Sequence, residues 1–113
     1  MNELHRVLKP GGTAFFAVPY FGSARAYGDP THQWPPIGEW FLHYLVASWR
    51  DVNAPHTDIK WNRLGYSCNF DWTCGYALHP AVVPRNAELQ QLMVQFCKEA
   101  AQDLIFTLTK PLT

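Results

Sequence analysis

Three observations predict an α/β fold. The end of a helical pattern runs straight into an uncharged apolar stretch, "TAFFAV" at 13–18. A second stretch, "CNFDWTCGYAL" at 68–78, alternates between apolar and polar residues. A helix-periodic segment then leads into a last apolar run, "DLIFTLT" at 103–109. Helical and extended patterns therefore alternate along 113 residues, a length that suits one domain, 1–113, with a single core. The expected count is three strands and about three helices.

Each element has a local reason. Leu4, Val7 and Leu8 fall at helical spacing, and Arg6 and Lys9 suit a helix C-terminus. Pro10 cannot continue that helix, and Gly11-Gly12 can take the left-handed conformation that ends one. Thr13–Val18 carries no charge and does not alternate, which reads as a strand covered on both faces, as in parallel sheets. Residues 19–36 hold four Pro and two Gly and read as a long loop, and the aromatics Tyr20, Phe21, Tyr27 and Trp34 argue for its being ordered. One aromatic-rich helix is predicted over Ile37–Trp49, with Trp40, Phe41, Tyr44 and Leu45 on one face. Residues 50–67 are polar, contain Pro55 and Gly65, and read as loop.

In the alternating run, Phe70, Trp72, Cys74, Tyr76 and Leu78 point one way, and Asn69, Asp71, Thr73 and Ala77 the other. Gly75 marks a candidate bulge. Asn86 is the predicted N-cap of a helix whose apolar stripe is Leu89, Leu92, Met93, Phe96 and Cys97. Residues 103–109 form the last strand, which Pro111 ends.

Composition narrows the function classes. Apolar residues make up 48% and charged residues 16%, a globular balance. The formal net charge is zero, so nothing draws the chain as a whole toward nucleic acid or an anionic membrane. Five Trp, five Tyr and seven Phe are more than so small a core can bury, so some are expected to line a cleft or meet a partner. The three cysteines, Cys68, Cys74 and Cys97, read as free thiols in a reducing, cytoplasmic compartment. Their spacing with His79 matches no common zinc pattern, and Cys74 and Cys97 fall on apolar faces that read as core. No apolar run is long enough to span a bilayer.

The run "RVLKPGGTAFFAVP" at 6–19 resembles the segment that class I S-adenosylmethionine-dependent methyltransferases carry before and along their fifth strand. Leu8, Lys9, Pro10, Gly11 and Gly12 match it residue by residue. "GDPTHQWPP" at 28–36 looks like a loop after that strand in several methyltransferase subfamilies, where an Asp-Pro-x-His run leads into a helix. The closing pair "FDWTCGYALHP" and "DLIFTLTKP" is similar to the family's last two strands. The resemblance implies a partial Rossmann-like sheet whose final strand runs antiparallel to its neighbours. It also implies methyl transfer from S-adenosylmethionine to an unidentified acceptor.

The family holds its cofactor with a glycine-rich turn after the first strand and an acid ending the second. Neither is found here: Gly11-Gly12 precede a strand instead of following one. The expectation is therefore the substrate-side part of a truncated or split enzyme, with no cofactor-binding residue in this chain. Its expected partners are an upstream half or a second copy. The rival expectation is a non-catalytic module that pairs with another chain through an open sheet edge.

The candidate site follows from position. His32 lies past the carboxyl end of the first strand, where open α/β sheets bind ligands, and is the candidate general base. The other reading is an Asp29–Thr31 turn with His32 packing or hydrogen-bonding locally. Tyr20, Phe21, Arg25, Asp29 and Trp34 share that loop and are the candidate substrate-binding residues. The aromatics would wall the site and Arg25 would meet an anionic group. Tyr20 and His32 lie on no apolar stripe, so neither is expected to dominate the core. No metal-binding set is predicted.

Overall fold

The computed structural model describes residues 1–32, 35–54 and 65–112. The described elements are α1 (Asn2–Val7), β1 (Thr13–Pro19), α2 (Ala24–Gly28), α3 (Glu39–His43), α4 (Ala47–Asn53), β2 (Asp71–Leu78), α5 (Ala87–Phe96) and β3 (Ala101–Thr109). The strands form one open antiparallel sheet in the order β1-β3-β2, so the chain's last strand lies between the two earlier ones. The α/β class is as expected, and the final strand does run antiparallel to both neighbours. The helices, five rather than about three among the described residues, are short.

The β1–β3 register is anchored at both ends. Lys110 N–H donates to Gly12 O at 2.9 Å, and Tyr20 N–H donates to Gln102 O at 3.0 Å. Even-numbered residues of β1 therefore aim their backbone groups at β3, and odd-numbered residues aim theirs away from it. At the strand's entry, Gly11 takes φ +81° and its N–H donates to Lys110 O at 2.7 Å. That left-handed residue lets the chain leave α1 and join the sheet within one turn.

Two-sided cover of β1 is not found. Ala14, Phe16 and Val18 are half-buried, while Thr13, Phe15 and Ala17 are exposed, Phe15 at 70%. Phe16 stacks on Phe106 at 5.0 Å. An uncharged run fits an antiparallel edge strand as well as a buried parallel one, and periodicity does not separate the two.

The chain divides into two units. The first comprises Met1–Phe15, Glu39–Thr73 and Thr107–Thr113. Its buried residues include Leu42, Leu45, Cys68, Phe70 and Leu108, and among them lies Arg50, only 3% exposed. Arg50 Nη1 donates to Tyr44 O and Nη2 to Cys68 O, both at 2.7 Å. This explains why the single helix expected over Ile37–Trp49 is two. The Tyr44 carbonyl is taken by Arg50, the Leu45 carbonyl accepts from Phe70 N–H at 3.0 Å, and Ala47 N–H donates to Asn69 Oδ1 at 3.0 Å. With these groups committed to tertiary partners the i→i−4 ladder cannot pass 44–47, and α4 restarts beyond it and runs to Asn53, into residues expected to be loop. Residues 55–64 of that expected loop lie outside the described residues.

Around this core, Asn2 Oδ1 accepts from Ser67 N–H at 2.9 Å and Cys68 N–H at 3.1 Å, tying α1 to the run before β2. Trp40, His43, Tyr44, Trp49 and Trp72 form a chain of ring contacts, the His43 and Trp49 rings stacked at 5.3 Å.

The second unit comprises Phe16–Gly38 and Cys74–Phe106, with Tyr20, Ser23, Ala26, Val82, Leu104 and Phe106 buried. Its α5 is capped as predicted, Asn86 Oδ1 accepting from Leu89 N–H at 2.8 Å. The stripe is not buried as predicted: Leu89, Leu92, Phe96 and Cys97 are exposed. The inward positions are Gln90, Met93 and Val94, and Gln90 Nε2 donates to Val83 O at 2.9 Å. The alternation of β2 holds from Asp71 to Cys74 and stops at Gly75, after which every residue is half-buried.

Two predictions follow from the first unit. Arg50→Ala removes the donors of one buried and one part-buried carbonyl and should cost about 2–4 kcal/mol in denaturant melts, with Arg50→Lys recovering only part because one ammonium cannot match the guanidinium fork. His5 packs edge-on against Phe70 at 5.2 Å, and burial, with the Lys110 charge nearby, pushes its pKa below the usual 6.5. The unfolded chain then binds the proton more readily, so this contribution is present above pH 6.5 and lost as pH falls through that value toward the lower folded pKa. Thermal melts should show a larger drop between about pH 7.5 and 5.5 for the natural chain than for His5→Gln.

Candidate functional site

The site begins where β1 ends. Tyr20 N–H binds Gln102 O on β3, and Phe21 N–H donates in the opposite direction to Ile37 O at 2.8 Å. Ser23, fully buried, returns both its N–H at 2.9 Å and its Oγ at 2.8 Å to the Tyr20 carbonyl. The turn is clamped from β3's side by Glu99, whose N–H donates to Gly22 O at 3.0 Å and whose carboxylate accepts from Ala24 N–H. Glu99 holds φ at 70°, a left-handed conformation costly for a side-chain-bearing residue. A chain expected to be loop throughout 19–36 thus contains α2, started by Ser23 and held by Glu99.

This clamp shapes a cavity of about 540 Å³, large enough for a small organic ligand. Phe21, Tyr27 and Phe96 are its aromatic walls, and Gln95, Cys97 and Lys98 supply polar groups. Phe21 leans on Tyr20 at 4.8 Å between ring centres. Its ring lies over Gly38, where an added Cβ would meet Phe21 Cδ1 at 2.5 Å.

A second concavity of about 290 Å³ is lined by Val18, Ala26, His32, Pro35, Pro36 and Ile37, with Pro19 beside them. The predicted residues are therefore divided. Tyr20 and Phe21 line the larger cavity, and His32 lines the smaller. Tyr20 is also core: it is 5% exposed and its ring meets Tyr76 edge-on at 5.6 Å, contrary to the expectation that it lies off the core. Arg25 faces Asp103, Nη2 to Oδ1 at 3.2 Å, so its charge is met by this chain's own carboxylate.

Asp29 Oδ1 accepts from Thr31 N–H at 2.8 Å and Thr31 Oγ1 at 2.6 Å, and these bonds hold the carboxyl below its usual pKa. His32 closes the same turn: its N–H donates to Asp29 O, Nδ1–H donates to Arg25 O, and Nε2 lies 3.6 Å from Asp29 Oδ2. The ring is thus held at Nδ1 by its own loop, with the Asp29 carboxylate near Nε2. Trp34 lies outside the described residues.

Tyr27, Phe96, Cys97 and Lys98 were not among the residues assigned to a site from the sequence. Tyr27 was visible as one of the loop's aromatics. Phe96 and Cys97 were assigned to a buried stripe, so no signal pointed to them. Cys97 is exposed at the cavity rim, and Cys68 is buried with its thiol pushed up by burial. Among the described residues no helix is long and apolar enough to cross a membrane.

Comparisons with protein-family models, with curated proteins and with solved structures each find no match.

Gly38→Ala tests the cradle. The added methyl has to displace the Phe21 ring, so the variant should fold with Phe21 resonances shifted and with a measurable loss of stability, whereas Gly28→Ala, where a Cβ meets nothing within 4 Å, should change the Phe21 signals little. Ring-current shifts in a two-dimensional NMR spectrum measure both.

Proposed function

We propose that this chain forms the acceptor-side pocket of an S-adenosylmethionine-dependent methyltransferase, with the methyl acceptor bound in the cavity between Phe21, Tyr27 and Phe96. The observation that carries the reading is the aromatic cavity opening directly beyond the carboxyl end of β1, after the Leu8–Gly12 helix stop, in a sheet whose last strand runs antiparallel to both neighbours. Open α/β sheets bind ligands at that end of their strands. The chain's own contribution is positioning: aromatic faces take a planar acceptor and exclude water, and Lys98 and Gln95 at the rim meet its polar groups.

The described residues do not fit the cofactor. The N–H at the start of α2 that would meet a cofactor's acidic group is already bound by Glu99, and Gly22 is the lone glycine between β1 and α2. This chain's own residues therefore serve the acceptor side, and His32 is held within its own turn.

The test has two arms. Titrating 2-naphthol as a planar probe should shift the amides of Gly22–Tyr27 and Val94–Lys98, and Phe96→Ala should weaken binding about 3- to 10-fold, a loss on the order of 1 kcal/mol. Calorimetric titration of S-adenosylmethionine into the chain alone should give no Kd tighter than about 100 μM, but binding should appear when the DNA preceding the Met1 codon is expressed with it and encodes a strand–Gly-x-Gly–helix segment. Absence of naphthol shifts at those amides, or of any such segment upstream or in an adjacent gene, overturns the reading.

A further inference from the structure

Strand β1 has an outer edge with a definite hydrogen-bond pattern. Because Gly12 and Tyr20 bond to β3, the N–H and C=O groups of Thr13, Phe15 and Ala17 point away from the sheet. The outward direction is confirmed at the next odd position, where Phe21 N–H donates to Ile37 O and a parallel bridge joins Tyr20 to Ile37. That bridge covers the edge only beyond Pro19. Over 13–17 no described strand pairs with it, and the exposed side chains there are Thr13, Phe15 and Ala17.

Sheet edges that stay monomeric are commonly protected by a Lys, a bulge or a proline within the strand, by inward-pointing charges, or by a covering helix or loop. Residues 13–18 have no Lys, no other charge and no proline, and Pro19 stands at the end.

We propose that this edge pairs with the same edge of a second copy, antiparallel and two-fold symmetric about Phe15. In that register Phe15 faces Phe15 of the other copy and Thr13 faces its Ala17, so every outward N–H and C=O of the three residues has a partner. The only edge position lacking an N–H, Pro19, falls outside the paired stretch. The two Phe15 rings, now 70% exposed, become a cross-strand aromatic pair on the open face.

The occupant is argued from charge and symmetry. A partner recognised by charge needs a charged edge, and 13–19 has no charge at all, while a chain of zero formal net charge does not repel its own copy. The inference concerns β1 and does not rest on the methyl-transfer reading.

The experiment uses the parity of the strand. Sedimentation of the natural chain should show a monomer–dimer equilibrium with a Kd on the order of 10–100 μM, the weak range expected of a small interface. Ala17→Pro removes an outward N–H and leaves the β3 ladder intact, so it should weaken dimerisation at least 10-fold while the far-ultraviolet spectrum is retained. Hydrogen exchange on the natural chain supplies a measurement that needs no variant. The amides of Thr13, Phe15 and Ala17 should gain protection as concentration rises from about 5 to 300 μM, across the expected Kd, while Ala14, Phe16 and Val18 are protected throughout. A monomer at every concentration, a dimer indifferent to Ala17→Pro, or odd-position amides whose exchange ignores concentration would each overturn the proposal. So would odd-position protection appearing only when an unrelated extended peptide is added.

Discussion

Tyr20 is the point on which the candidate site depends. Its backbone ends the β1–β3 ladder, its carbonyl accepts both donors of Ser23, and its ring is buried against Tyr76. The next residue binds the opposite way, to Ile37. A strand leaving a sheet has to satisfy its backbone groups within a residue or two, or stay in water. Here they are satisfied by three separate segments at once. The direction in which Phe21 leaves, and hence where its ring can stand over Gly38, is a consequence of that pinning.

The two units solve the same problem with different chemistry. In the second, a buried hydroxyl and a left-handed glutamate hold a turn of small residues. In the first, a buried guanidinium does so, spanning the carbonyls of Tyr44 and Cys68. Arginine suits that task because its donors are fixed in a fork and its charge strengthens each bond. In both cases a tertiary partner takes a group that local structure would otherwise use. This shortens the elements, and α2, α3 and α4 are each at most seven residues long.

That diversion also explains which features were legible in the sequence. The helix stop at Pro10-Gly11-Gly12, the Asn86 cap and the three strands were legible because each is decided by residues within a turn of itself. The break between α3 and α4 was not, because its causes are Arg50, Asn69 and Phe70, which the helical period of 37–49 cannot register. The inward face of α5 was misread for a similar reason. Gln90, which is not part of the apolar stripe, donates to the Val83 carbonyl, while Leu89 and Leu92 are exposed. At the site, Tyr20 and Phe21, expected from their position along the chain to meet a substrate, line a cavity. Of the two readings of His32, the local turn with Asp29 and Thr31 is the one the structure shows, and only the Arg25 carbonyl, seven residues back, had no visible claim on the ring.

The glutamate at position 99 links the fold's strain to the turn beside the cavity. Its left-handed backbone is the kind of cost a fold keeps only where surrounding bonds over-determine it. Those bonds are its own: the N–H to Gly22 and the carboxylate to Ala24, a negative charge set at the start of α2. A charge already in place there disfavours a second anion at the same spot. The cavity beside this turn is walled by Phe21, Tyr27 and Phe96, with Gln95, Cys97 and Lys98 at its rim. Glu99, which does not line it, thus holds in place the turn on which Phe21 stands.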